Sequence, residues 1–315
     1  MQKGFCRLKL QLAVLFSISI SFSAWAFGPQ SVFDQDGRRL PDRDVNSGRV
    51  AWELLSIRQH GEFGAMGLLS AGFFGGGCSA TMIDVGGSDQ SPAYIVTNGH
   101  CLMNGYPGPG EFIIDRPPAR GMSFTARYFR DASRERETFQ VERVEYATMT
   151  GTDMALMRLS ATRAQVAAKG LQGFPIARQA PVLGEPVVNV GIPQSGLRER
   201  YLRRSQCEIL EQVDLEEGGW EFTGSFRNKC SVVGGSSGSS LVSAVSGEIV
   251  ALINTGVSDS TPTPCRTNHP CEVTKGGGRS SRPEFNYAQR VHELAACFDG
   301  QGVFRLNDPQ CRLQR

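Results

Sequence analysis

An excess of charge of either sign is missing from this 315-residue chain, in which 33 Lys+Arg stand against 31 Asp+Glu. Three of the basic residues, Lys3, Arg7 and Lys9, lie in the first 26 positions, so the remainder carries 30 against 31, a net charge of −1. A nearly neutral surface gives no electrostatic reason to bind nucleic acid or an anionic membrane. Histidine is scarce, with four residues, and no two stand at metal-ligand spacing. Cys-x-x-Cys is absent too, so zinc has no support in the sequence, and no metal or other cofactor is expected. Beyond the first 26 residues no apolar run is long enough to cross a bilayer.

Those first residues read as a secretory signal. A basic start is followed by the mostly apolar stretch Leu10–Phe22 and by Ala24-Trp25-Ala26, which predicts cleavage after Ala26. The mature protein is then expected to be secreted or periplasmic, without a membrane attachment and as a monomer. Cys6 leaves with the signal, and eight cysteines remain. An even number in an exported chain argues for disulfides. Sequence alone does not fix their connectivity. Pairing neighbours along the chain gives Cys78–Cys101, Cys207–Cys230, Cys265–Cys271 and Cys297–Cys311.

Residues 27–60 are polar and turn-rich and read as an extension or propeptide. From 61 onward the chain breaks into short apolar runs separated by Gly, Pro, Asn and Ser, among them Ala80–Val85, Ala93–Thr97, Glu111–Ile114, Ser123–Phe129, Thr138–Val144, Met154–Leu159, Pro186–Val190 and Glu248–Asn254. Runs of this length and composition suit strands. Helix is expected only over Thr162–Lys169 and Ala288–Phe298. Many strands and few helices indicate an all-β sandwich or barrel. The Pro-rich stretch Gly170–Pro186 reads as a linker, dividing 61–170 from 171–315, and Gly256–Glu284 reads as a long loop.

Three segments carry chemistry: Tyr94-Ile-Val-Thr-Asn-Gly-His100-Cys101, Gly151-Thr-Asp153-Met-Ala-Leu-Met-Arg-Leu159 and Cys230-Ser-Val-Val-Gly-Gly235-Ser-Ser237-Gly238-Ser-Ser-Leu241. A serine hydroxyl is a poor nucleophile until an imidazole takes its proton. The imidazole in turn needs a carboxylate to fix its tautomer and stabilise its charged form. The oxyanion that develops needs aimed donors, and a glycine-flanked serine in a tight turn can present backbone N–H groups, here those of Gly235 and Ser237.

Together these segments resemble the trypsin/chymotrypsin-like serine protease superfamily, in which His, Asp and Ser follow in that order. The first is similar to Thr-Ala-Ala-His-Cys, the second to Asp-Ile-Ala-Leu-Leu-Arg-Leu. The third is similar to Gly-Asp-Ser-Gly-Gly-Pro and nearer to the Gly-Asn-Ser-Gly-Ser-Pro of the bacterial glutamyl-endopeptidase (V8-like) branch. Gly77-Cys78-Ser-Ala-Thr-Met-Ile83 resembles the strand before the catalytic His, whose Cys bonds the Cys after that His. The resemblance covers roughly 61–295. It implies an all-β fold of two six-stranded antiparallel barrels with a short C-terminal helix. It implies a serine endopeptidase acting on protein or peptide substrates through an acyl-enzyme, with His100, Asp153 and Ser237 catalytic. It places Ser231 at the base of the primary pocket and Asn254, Thr255 and Gly256 on the strand that pairs with substrate.

The chain departs from the pattern in places. Ser236 stands where the superfamily has Asp or Asn, and Ser240 where it has Pro. No basic residue followed by Ile-Val-Gly-Gly occurs, which argues against activation by a new amino terminus. Neutral Ser231 disfavours cleavage after Arg or Lys, and the lack of His at 253 or 254 disfavours Glu, leaving a small or apolar residue before the scissile bond. An acid limb of activity from His100 protonation is expected. Two alternatives stay open. One is an inactive homologue that keeps the fold for binding. The more remote one is an α/β-hydrolase esterase using Gly234-Gly-Ser236-Ser-Gly238, with His269 or His292 as base.

Overall fold

The computed structural model describes residues 31–71, 77–102 and 105–315. The signal segment 1–26 and residues 27–30 lie outside the described residues.

The first sheet contains β4 (Met66–Ala71), β5 (Gly77–Asp84), β6 (Pro92–Thr97), β7 (Phe112–Arg116), β8 (Met122–Ala126), β9 (Glu137–Thr148) and β10 (Met154–Thr162), with the short β11 (Phe174–Pro175) parallel to β5. Its order β10-β6-β5-β4-β8-β9 closes through pairing of β9 with β10, which makes a six-stranded barrel. Strand β8 shows why these residues form it. Met122, Phe124 and Ala126 are buried in the barrel core while Ser123 and Thr125 between them are not, the period-2 alternation of a one-sided strand. Burying side chains of Phe or Met size stabilises by ~1.5–3 kcal/mol each.

Strands β6 and β10 lack that alternation because both their faces are covered. Ile95, Ala155, Met157 and Leu159 point into the barrel. Tyr94, Val96, Met154 and Leu156 point outward against Leu294, Cys297, Leu306 and Leu313 of the C-terminal segment. A two-sided apolar environment accounts for the continuous run Met154–Leu159.

The second sheet has ten strands, ordered β19 (Arg279–Ser280), β18 (Cys271–Val273), β14 (Gln212–Glu217), β15 (Trp220–Asn228), β20 (Asn286–Arg290), β17 (Ile249–Gly256), β16 (Ser240–Ser243), β12 (Pro186–Gly191), β13 (Arg203–Glu208) and β3 (Glu53–Leu54). Ladder pairing closes the first sheet but not this one, whose ends β19 and β3 do not pair among the described residues.

Several sequence expectations need correction. The stretch Ala288–Phe298 is not one α-helix: Ala288 lies in β20, and only His292–Cys297 is helical, as a 3-10 turn. Tyr287, Ala288 and Gln289 are buried on both faces of that strand, which hides its period. Gly256–Glu284 is not unstructured, since β18 pairs with β14. Residues 31–55 carry a separate two-stranded sheet and one edge strand of the second sheet, β3. Val32 and Phe33 (β1) pair with Arg39 and Leu40 (β2), and β3 pairs with β13. The helix expected at Thr162–Lys169 is present at Arg163–Ala168, started by a capping box between Thr162 and Gln165.

Candidate active site

His100 and Asp153 meet because β6 and β10 are antiparallel neighbours, with Thr97 opposite Ala155. The end of one strand and the beginning of the other therefore fall at the same end of the barrel. The chain leaves β6 through Asn98 and Gly99 into a 3-10 turn, Gly99–Leu102, that carries His100. Gly99 admits no side chain, as a Cβ would lie 2.3 Å from the Thr148 carbonyl oxygen. Asn98 Nδ2 donates to the Asp153 carbonyl at 2.8 Å. The Asp153 carboxylate engages His100 twice, accepting the backbone N–H on Oδ1 at 3.1 Å and facing ring Nδ1 with Oδ2 at 2.5 Å. Asp153 is fully buried and His100 nearly so.

Residues 78 and 79 link this pair to the serine turn. Cys78 is bonded to Cys101, and the two sulfurs and an imidazole nitrogen of His100 lie within 4.8 Å of one another. The next residue, Ser79, donates its N–H to the Ser237 carbonyl at 2.8 Å. Gly238 admits no side chain between Thr97 Oγ1 and the Ser79 carbonyl, which would stand 2.0 and 2.4 Å from a Cβ.

The turn itself is held at every carbonyl from 234 to 237. The Gly234 carbonyl accepts from Gln194 and Ser195 N–H at 2.8 and 2.9 Å. The Gly235 carbonyl accepts from Ser79 Oγ at 2.9 Å. Ser239 N–H donates to the Ser236 carbonyl, and Ser79 N–H to that of Ser237. The N–H groups of Ser236 and Gly238 donate back to Val233 and Ile253. Those of Gly235 and Ser237 alternate with them. A trans peptide points its N–H opposite its C=O, so the Gly235 N–H is aimed away from the Pro193–Ser195 corner. Gly235 has φ +97°, a conformation L side chains rarely adopt, and a Cβ there would also meet Gln194 Cγ at 2.7 Å. Ser236, in place of the usual acid, is buried, and its Oγ accepts from Val233 N–H at 3.4 Å.

Ser231 does not face open space. Its hydroxyl accepts from Phe33 N–H at 3.0 Å and donates to the Phe33 carbonyl at 3.1 Å. Asn286, which sequence reasoning missed, spans the gap between two segments. Its Nδ2 donates to the Cys230 and Ser31 carbonyls at 2.8 and 3.0 Å, and its Oδ1 lies 2.1 Å from where a Cβ on Gly256 would be. Thr255 and Gly256 pair with Tyr287 and Asn286, with an irregularity in register at Asn254. On the other side of Asn254–Gly256 no strand pairs among the described residues.

Glu217 also escaped the sequence, because Glu-Glu-Gly-Gly reads as an exposed hairpin end. Its side chain is buried and accepts the Asn268 N–H at 2.7 Å. Burial pushes its carboxyl up to about 7, against the effect of that hydrogen bond. The loop carrying Asn268 is tied by Cys265–Cys271, and the chain also holds Cys207–Cys230 and Cys297–Cys311. His269 Nδ1 is engaged with the Thr261 carbonyl oxygen, and His292 is half-buried with its basicity lowered by that burial.

Comparison of the sequence with curated proteins finds no match. Among solved structures, the fold is similar to a thermostable serine protease AL20 from an extremophilic microorganism, at 17% identity and TM-score 0.47, covering 73% of this chain and 92% of that one. It is also similar to the MamO protease domain from Magnetospirillum magneticum, at 17% identity and TM-score 0.44, covering 74% and 94%. A Glu endopeptidase in complex with MPD matches at 13% identity and TM-score 0.42, covering 76% and 90%. Likenesses this distant carry no argument about activity. The family match is to the trypsin-like peptidase domain over residues 78–252. That region takes in β5 from Cys78 through the first half of β17, including the disulfide beside His100 and the serine turn, and it is more than half of the chain, which therefore belongs to the trypsin-like peptidase domain family.

Proposed function

We propose that this chain is an exported serine endopeptidase with Ser237 as nucleophile, His100 as general base and Asp153 as its orienting carboxylate. Ser237 Oγ attacks the scissile carbonyl while its proton passes to His100. The carbonyl oxygen becomes an oxyanion beside the Gly235 and Ser237 N–H groups. His100 returns the proton to the leaving amine as the C–N bond breaks, and water then hydrolyses the acyl-enzyme by the same steps in reverse. The observation that carries this reading is the buried 2.5 Å contact of His100 Nδ1 with Asp153, which is the tautomer-fixing arrangement a base of this kind needs. Asp153→Asn tests it. Turnover on peptides is expected to fall by roughly 10³–10⁴-fold with little loss of folded protein. Unchanged turnover would remove Asp153 from the mechanism.

The cleaved bond follows a small residue. The Ser231 hydroxyl is taken up by Phe33, and the Asn286 amide lies against Gly256 and donates to the Cys230 carbonyl. The free edge at Asn254–Gly256 suits an extended substrate added as a strand. Export is supported by four disulfides, which persist in oxidising compartments. No helix among the described residues is long and apolar enough to cross a membrane.

A further inference from the structure

Among the described residues, two of the four hydrogen bonds of Ser79 go to the turn that carries Ser237. Its hydroxyl accepts the Ile192 N–H at 2.7 Å and donates to the Gly235 carbonyl at 2.9 Å. Its N–H donates to the Ser237 carbonyl at 2.8 Å. Its carbonyl accepts Thr97 Oγ1 at 2.8 Å, three residues before His100. The side chain is 1% exposed, so no water competes for these partners. It belongs to the first barrel, and all but one of its partners lie in the segments that join strands of the second sheet, Ile192 after β12 and Gly235 and Ser237 between β15 and β16.

We propose that Ser79 is a positioning residue that fixes the oxyanion-binding turn, an inference that rests on the serine endopeptidase reading above. The peptide between Gly235 and Ser236 is held at its oxygen by Ser79 Oγ and at its N–H by the Val233 carbonyl. The peptide between Ser237 and Gly238 is held at its oxygen by Ser79 N–H and at its N–H by the Ile253 carbonyl. These two planes bracket Ser237, and with both fixed, the intervening Ser237 N–H and the preceding Gly235 N–H have a set direction. A donor helps only if it is aimed before charge develops. In this chain the neutral Ser236 stands where a carboxylate would otherwise anchor the turn. Ser79 supplies that anchoring from the neighbouring barrel, without an amino-terminal ion pair.

The test is Ser79→Ala, assayed on a fluorogenic peptide with Ala before the scissile bond and with a peptide boronate of the same sequence. A misaimed donor weakens transition-state binding more than ground-state binding. The expected result is a kcat reduced about 10–100-fold, KM changed less than about threefold, and boronate affinity lost in parallel with kcat/KM. Ser79→Gly guards against a folding failure, because the extra space admits a bridging water, and its kcat should fall between the other two. Wild-type kcat and boronate affinity in folded Ser79→Ala would overturn the proposal. So would losses in both variants that follow only the fraction of unfolded protein. A wild-type protein that never cleaves peptide and never binds boronate would instead refute the endopeptidase reading itself.

Discussion

Phe33 and Ser231 exchange two hydrogen bonds across 198 positions of sequence, the Phe33 N–H donating to the Ser231 hydroxyl and that hydroxyl donating to the Phe33 carbonyl. The N-terminal segment is thereby bonded to the Cys230–Ser236 stretch that leads into the serine turn. Ser31 adds bonds to Val257, Val232 and Asn286, and Val32 packs with Val233 and Leu197. A segment so buried cannot be removed without stranding polar groups. Active protein is therefore expected to retain Ser31 and Phe33 when its amino terminus is sequenced, and Ser231→Ala is expected to cost ~1–3 kcal/mol in unfolding free energy by leaving the buried Phe33 N–H without its acceptor. Active protein beginning at or after residue 56 would contradict this.

In the proposed reading, Asn286 sets the size of the residue accepted before the scissile bond. Asn286→Ala removes the amide whose oxygen crowds Gly256. A peptide-library profile is expected to shift from Ala and Ser toward Leu and Phe, by roughly 10–100-fold in relative kcat/KM. The bonds to Cys230 and Ser31 are lost as well, so a lower Tm should accompany the shift. A profile dominated by Arg, Lys or Glu in the wild type, or one unmoved by the substitution, would show that this position does not bound the pocket.

Glu217 makes stability fall as pH rises. Its carboxyl is raised from an ordinary value near 4.5 to about 7 by burial, so between those values the folded chain keeps a proton that the unfolded chain has released. The folded state is penalised progressively through that window, by ~3 kcal/mol in all when the two values are converted. Glu217→Gln keeps an acceptor for Asn268 and removes the ionisation. Its Tm relative to wild type should therefore climb by several degrees from pH 4.5 to pH 8. A difference that is flat with pH would show that the carboxyl titrates alike in the folded and unfolded chain.

What was legible in the sequence was local. His100, Asp153 and Ser237 each sit in a short segment whose neighbours do a definable job: Gly99 for close approach to Thr148, Met154–Leu159 for a two-sided strand, Gly235 and Gly238 for positive φ. The helix expected over Thr162–Lys169 is likewise local, started by Thr162 and Gln165. The missed features depend on partners far away in the chain. Val32 and Phe33 form a strand of two residues whose contacts outside their own hairpin include Leu197, Ser231 and Val233, and no pattern in 27–60 encodes those. Ser79 is one serine in an ordinary strand, and only the fold brings it to Gly235. Glu217 looked solvated because the segment that covers it arrives from around residue 268.

The central claim is that Ser237 is a nucleophile activated by His100, and covalent labelling tests it most directly. Wild-type protein treated with a fluorophosphonate should gain one adduct by intact mass, mapped to Ser237, with none on Ser237→Ala and a strongly slowed reaction on His100→Ala. Folded wild-type protein that takes up no adduct, or takes it up equally with alanine at 237, would contradict the account.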